Sequence, residues 1–253
     1  MKIEHSYILY MDEPKSQMYM NDCIESAKAH NVPISPFMGF KLPVTVKEVY
    51  DRWQVRLDPD LEWRQHEHPV FQIWFKEQLC TSGHVAMWKK IVKDHKNAVA
   101  CLEHDAYIVR SFDGIDVEDG EIVFLGFRMD QRDDYECPDD PFVKVPMNKF
   151  EGTHGYAITP GTAEYLLSIV EKPDFLPVGI SVDHYLGVRN LFQLNMFVVD
   201  PAPLIAIVGD RVSFTQPEDK TARYNMIPPE GFLKGIVKPE KYELDYKNNW
   251  IVF

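Results

Sequence analysis

Ala98-Val99-Ala100-Cys101-Leu102-Glu103-His104-Asp105-Ala106-Tyr107-Ile108 is a short apolar run that ends at two carboxylates placed two residues apart. An apolar run without alternation predicts a strand buried on both faces, as in a parallel sheet covered by helices. In open α/β sheets, ligands bind in the crevice at the carboxyl ends of such strands. Residues i and i+2 of an extended segment point the same way, so Glu103 and Asp105 are expected to face one site together. Two hard oxygen donors at that spacing suit Mg²⁺ or Mn²⁺ bridging to a diphosphate. The plain alternative is a strand end that simply meets solvent.

Upstream of this strand, Thr81-Ser82-Gly83 reads as a helix start. Residues 84–95 then carry Val85, Trp88, Ile91 and Val92 on one face at a helical period. Nearer the N-terminus, Tyr7-Ile8-Leu9-Tyr10 predicts a strand, 15–30 an amphipathic helix, and 32–37 a second, proline-bounded strand. Such a strand–helix–strand opening implies a parallel, right-handed unit. Residues 46–53 read as a short helix with Thr45 as N-cap, and 57–70, polar and containing His66 and His68, as a surface loop.

Downstream, 122–126 predicts another strand and 131–140 an acid-rich loop. Residues 152–159 read as a strand with a glycine-flanked start, and Pro160 opens a helix that runs to Val170. Ile180-Ser181-Val182-Asp183-His184-Tyr185-Leu186 places an acid and an imidazole in apolar surroundings. Residues 197–208 look strand-like around Pro201 and Pro203. The tail, 216–253, is less periodic and is expected to wrap the domain, with Trp250-Ile251-Val252-Phe253 as an apolar anchor. The expected class is α/β, a Rossmann-like mixed and mainly parallel sheet with helices on both faces.

A chain of 253 residues can bury a sizeable core. Its 45% hydrophobic and 26% charged content is that of an ordinary globular protein. No stretch approaches the roughly 20 apolar residues of a membrane span, and Met1-Lys2-Ile3-Glu4-His5 does not open an apolar signal region. A cytoplasmic location is expected. Cys23, Cys80, Cys101 and Cys137 are scattered without a CxxC pair, so neither a zinc knuckle nor a disulfide framework is signalled. The net charge of −12 disfavours broad nucleic-acid binding. A diphosphate ligand would then need a divalent cation to neutralise it.

Four stretches, in order, resemble glycosyltransferase family 25, the lipopolysaccharide and collagen-type sugar transferases. Cys80-Thr81-Ser82-Gly83-His84-Val85-Ala86-Met87-Trp88-Lys89-Lys90-Ile91-Val92 is similar to the family's small-residue, Ser/His and "xxxWxxI" helix. The segment 98–108 resembles its "LILEDDA" strand, with His104 where the family carries an acid. Gly152-Thr153-His154-Gly155-Tyr156, followed by Ala163, Leu166 and Leu167, resembles "GTHAY…A..LL", and 177–186 resembles "P.D..L". The resemblance spans roughly residues 4–215, although only these four stretches are close.

The resemblance implies a GT-A-like domain over 1–215, with 216–253 as an extension packed on it. It implies transfer of a hexose from a nucleoside diphosphate sugar, UDP-sugar above all, to a hydroxyl acceptor such as a lipopolysaccharide-type glycan. Mn²⁺ or Mg²⁺ would be the cofactor. Asp105 is then the expected direct metal ligand, Glu103 a ribose contact or water-mediated metal contact, and His184 a further ligand or diphosphate contact. Asp183 is the expected general base of an inverting displacement, its pKa raised by apolar surroundings. Its structural alternative is a helix N-cap or a partner for Arg189. His84, Gly152, Thr153 and His154 are expected near the donor, each with a capping, turn or core role as the alternative. Two other readings stay open: transfer to a hydroxylated DNA base, for which Lys89, Lys90, Lys93 and Lys96 are the only dense basic group, and a nucleotide-sugar-binding module without turnover.

Overall fold

The computed structural model describes residues 1–67, 69–129, 132–148, 150, 152–172, 182–188, 192–207 and 234–237. In chain order these form β1 (Ile3–Tyr10), α1 (Pro14–Ala29), β2 (Ile34–Met38), α2 (Val46–Trp53), α3 (Pro59–Arg64), α4 (Pro69–Asp94), β3 (Ala98–Glu103) and β4 (Ala106–Ile108). There follow β5 (Glu121–Phe124), β6 (Gly126–Met129), β7 (Val143–Met147), β8 (Gly155–Ile158), α5 (Pro160–Val170), β9 (Asn195–Asp200) and β10 (Leu204–Ile207). A short 3-10 turn lies at Arg132–Asp134 and a π turn at His184–Val188.

Seven strands make one sheet in the order β2-β1-β3-β8-β5-β9-β7. β2, β1, β3, β5 and β9 share a direction, and β8 and β7 oppose it. The expected mixed, mainly parallel α/β sheet is present. Alternation along the strands sends Tyr7, Leu9, Val99, Cys101, Tyr156 and Ile158 to one face, into a core shared with α2 to α5. Ile8, Ala98, Ala100, Leu102, Val123 and Ala157 go to the other, against Cys23 and Ala27 of α1 and Ala106 and Ile108 of β4. Helices therefore cover both faces, and β3 lies between β1 and β8 with every residue from Ala98 to Leu102 buried.

Local chemistry explains where the elements begin. Glu13 caps α1 by accepting from the Ser16 amide at 3.0 Å, with Pro14 at the first helical position. α2 opens on a reciprocal capping box. The Glu48 amide donates to Thr45 Oγ1 at 3.2 Å, and the Thr45 amide donates to Glu48 Oε2 at 2.8 Å.

Three boundaries differ from the sequence expectation. The predicted loop 57–70 contains α3 and the start of α4. Asp58 caps α3 through the Asp60 amide at 2.9 Å, Pro59 follows at its first position, and buried Leu61 anchors it. One apolar anchor among polar residues leaves no period to read. The helix predicted to start at Thr81 begins instead at Pro69, making α4 26 residues and about 39 Å long. Thr81 and Ser82 are buried mid-helix, and Ser82 Oγ donates back to the Leu79 carbonyl at 2.7 Å, so it satisfies itself without capping anything.

The third difference matters most for the site. The stretch 98–108 is two strands joined by a turn at His104 and Asp105. β4 leaves the large sheet and pairs antiparallel with β10 in a three-stranded sheet, β4-β10-β6. Glu103 and Asp105 are therefore not side by side on one extended segment. The predicted strand 122–126 divides in the same way. β5 belongs to the large sheet, and from Gly126 the chain pairs as β6 with β10. A Cβ at Gly126 would lie 1.7 Å from the Leu204 carbonyl oxygen, so only glycine permits that pairing.

Part of the expected extension is described. Residues 234–237 dock beside Asp134 and Glu136, with the Glu136 amide donating to the Gly235 carbonyl and the Val237 amide to the Asp134 carbonyl, each at 2.9 Å. The predicted anchor at Trp250–Phe253 lies outside the described residues, as do Pro173, Pro177, Arg189 and His68. Among the described residues no helix is long and apolar enough to cross a membrane.

Candidate functional site

The site is built where β3 ends. The Glu103 amide donates to the His154 carbonyl at 3.0 Å, which ties the last residue of β3 to the residue before β8. Its side chain, about a fifth exposed, accepts from Thr153 Oγ1 at 2.5 Å and lies 3.6 Å from His84 Nε2. His84 comes from the middle of α4 and is fully buried. On its other side, His84 Nδ1 is 2.9 Å from the Tyr156 hydroxyl, which also accepts from Trp88 Nε1 at 2.8 Å. One buried relay thus runs from Trp88 through Tyr156 and His84 to the carboxylate at the strand end.

The charges follow from this geometry. Burial works to raise the Glu103 carboxyl, but the His84 imidazole, the Thr153 hydroxyl and the Arg128 guanidinium outweigh it and hold the group at about 2. Burial pushes the Cys80 thiol well up, and the negative charges of Glu103, Asp183, Glu77 and Asp105 push it further. Acidic charge from α4, from the end of β3 and the turn after it, and from the segment before the π turn therefore acts on one thiol. Arg128 of β6 brings positive charge to the same place. It acts on Glu103 and, after burial, is the main influence lowering the His154 imidazole. Gly152 makes room for it. Its φ is +91°, and a Cβ there would lie 2.9 Å from His154 Nδ1 and 3.3 Å from Arg128 Nε.

Two measurements check this relay. Tyr156→Phe removes the oxygen shared by Trp88 and His84 and strands two buried polar groups. It is expected to cost about 3 kcal/mol in urea unfolding, and an unchanged midpoint would show that the relay carries no stability. The Glu103 carboxyl is lower in the folded chain than its ordinary 4.5, so its stabilisation is present above that pH and is lost as pH falls towards about 2. Glu103→Gln cannot ionise. The gap in Tm between wild type and variant should be wide near pH 6, narrow as pH falls through 4.5, and close only near pH 2. A gap constant across that range would contradict the depressed carboxyl.

The expected residues fare differently. Glu103, Thr153 and His84 are brought together, and the negative charges of Asp105 and Asp183 act on the Cys80 thiol. His84 is neither a cap nor open to solvent, because it lies inside α4 rather than at its start. Thr153 and His154 are also almost wholly buried, and Thr153 spends its hydroxyl on Glu103. His104 stacks on Tyr19 of α1, with ring centroids 6.1 Å apart. The His184 side chain lies outside the described residues.

Sequence reasoning missed Cys80, Tyr156 and Arg128. Cys80 and His84 are four residues apart, one helical turn, and that spacing was hidden by reading the helix as starting at Thr81. Among the basic candidates, Lys89 pairs with Glu171 at 2.9 Å and Lys90 with Asp94 at 2.6 Å, so two of the four lysines are engaged by neighbouring acids. No protein-family model matches the chain, and no curated protein matches it.

Proposed function

We propose that the chain is an inverting, metal-dependent glycosyltransferase of the GT-A type. It moves a hexose from a nucleoside diphosphate sugar, of the UDP-sugar class, to a hydroxyl on a glycan acceptor, in the cytoplasm. The observation that carries this reading is the Glu103 carboxylate held at the carboxyl end of β3 by Thr153 and beside His84, with Asp105 in the turn that follows and Arg128 packed at Gly152. That is the crevice where open α/β sheets bind ligands. Asp105 and Glu103 are hard oxygen donors and fit Mn²⁺ or Mg²⁺, with His184 as a further ligand. When bound, such a cation would offset the charge that develops on the leaving diphosphate.

The chain's own residues supply the rest. Asp183 takes the proton from the acceptor hydroxyl. Arg128 meets diphosphate charge from the β6 side, and the backbone at Gly152, free of a side chain, allows close approach. Thr153 and His84 keep Glu103 ionised and fixed, so it presents an acceptor oxygen to the donor ribose without reorganising. The paired lysines of α4 weigh against a DNA acceptor.

A thermal-shift screen of nucleoside diphosphate sugars with and without Mn²⁺ tests this. A donor at 100 times its Kd should add about 2.7 kcal/mol of stability. A metal-dependent shift lost in Asp105→Ala supports the proposal, and donor hydrolysis separates an enzyme from a module that keeps its ligand intact. No shift with any donor would overturn it.

A further inference from the structure

We infer that Cys80, His84 and Glu103 form a three-ligand site for a divalent cation of the Zn²⁺ class, with a fourth position open. Cys80 and His84 project from one face of α4, and Glu103 meets them from the end of β3. Cys80 Sγ, a ring nitrogen of His84 and a Glu103 carboxylate oxygen all lie within 4.8 Å of one another. A tetrahedral ion with N and O bonds near 2.1 Å sets those donors about 3.4 Å apart. His84 Nε2 and Glu103 Oε1 are already at 3.6 Å.

The histidine supplies an independent observation. Its ring is fully buried, and Nε2 has no hydrogen-bond partner among the described residues although it faces a carboxylate. A ring nitrogen and a carboxylate oxygen at that distance call for a proton or a cation between them. The surroundings are those of a metal ligand. The Tyr156 oxygen can accept from both Trp88 Nε1 and His84 Nδ1, which leaves the Nε2 lone pair for a metal. Thr153 orients Glu103 in the same way. One thiolate, one imidazole and one carboxylate favour Zn²⁺ over Mg²⁺ or Mn²⁺, and their two negative charges balance the ion. The site shares Glu103 with the hard-oxygen pair proposed above and adds a thiolate and an imidazole in place of Asp105; it stands whether or not the chain transfers sugar.

Titration of the chelator-treated full chain with Co²⁺ is the test. The expected result is the visible spectrum of tetrahedral Co²⁺ with a thiolate-to-cobalt charge-transfer band, both displaced by Zn²⁺. The thiolate band should vanish in Cys80→Ser and persist in Cys137→Ser. An octahedral spectrum without a thiolate band, or a thiolate band that survives in Cys80→Ser, would overturn the inference. Should Cys80→Ser fail to fold, alkylation of Cys80 in the wild-type chain, read by peptide mass spectrometry, decides instead. Zn²⁺ at 10 times its Kd should slow it about tenfold, and an unchanged rate would overturn the site.

Discussion

Alanine at Asp183 is expected to leave donor-dependent thermal stabilisation intact while transfer to the acceptor falls by about 10²- to 10⁴-fold. The separation follows from where the residue comes from. Asp183 lies on the turn of helix that leads into His184–Val188, a segment apart from β3 and its turn, and Val182, Tyr185 and Leu186 around it are buried and hold it in place. Its charge nonetheless reaches Cys80, as do those of Glu103 and Asp105. A carboxylate brought in from a different segment can serve the acceptor hydroxyl while the β3 end holds the donor. Initial rates of product formation, measured beside thermal shifts with the same donor, check this. Wild-type rates would remove Asp183 as the base. Loss of the donor-induced shift together with the rate would move it into the donor-binding set.

Gly126→Ala is expected to be the most damaging addition of a single methyl group, costing about 4 kcal/mol or preventing folding altogether. The added Cβ would meet the Leu204 carbonyl oxygen at 1.7 Å and its carbon at 2.5 Å, and both belong to backbone that no rotamer change can move. β6 and β10 would have to part along their parallel pairing from Gly126–Leu204 to Met129–Ile207, and Phe127, Met129 and Ile205 would lose their shared cluster. Urea unfolding monitored by tryptophan fluorescence measures the loss. A midpoint near that of the wild type would show that the two strands separate at little cost.

Much of the fold was legible because its signals are local. Thr45 as N-cap of α2, Pro160 at the first position of α5, and the uniform apolar run of β3 each act within a few residues. The strand divisions at His104 and Leu125 were not legible, since what decides them is β10, almost 80 residues or more downstream in sequence. Within the site, Glu103 stood out as an acid ending an apolar strand. Its partners did not. His84 and Trp88 reach Tyr156 across 72 and 68 residues, a meeting that no periodicity announces. Arg128 lies on a strand that the sequence reading ended at Gly126, so its approach to Gly152 had no local signal.

The two strand divisions occur side by side. The Glu103 amide is bonded to the His154 carbonyl and the Leu125 amide to the Gly155 carbonyl, each at 3.0 Å, so the start of β8 and the residue before it hold both chains as they leave the large sheet for the small one. Two short covalent crossings clamped by one strand leave the small sheet no freedom to swing as a separate lobe. Its amide hydrogens at Phe127 and Ile205 are therefore expected to exchange with solvent only when the large sheet opens as well, so that their protection reports the global stability of the chain.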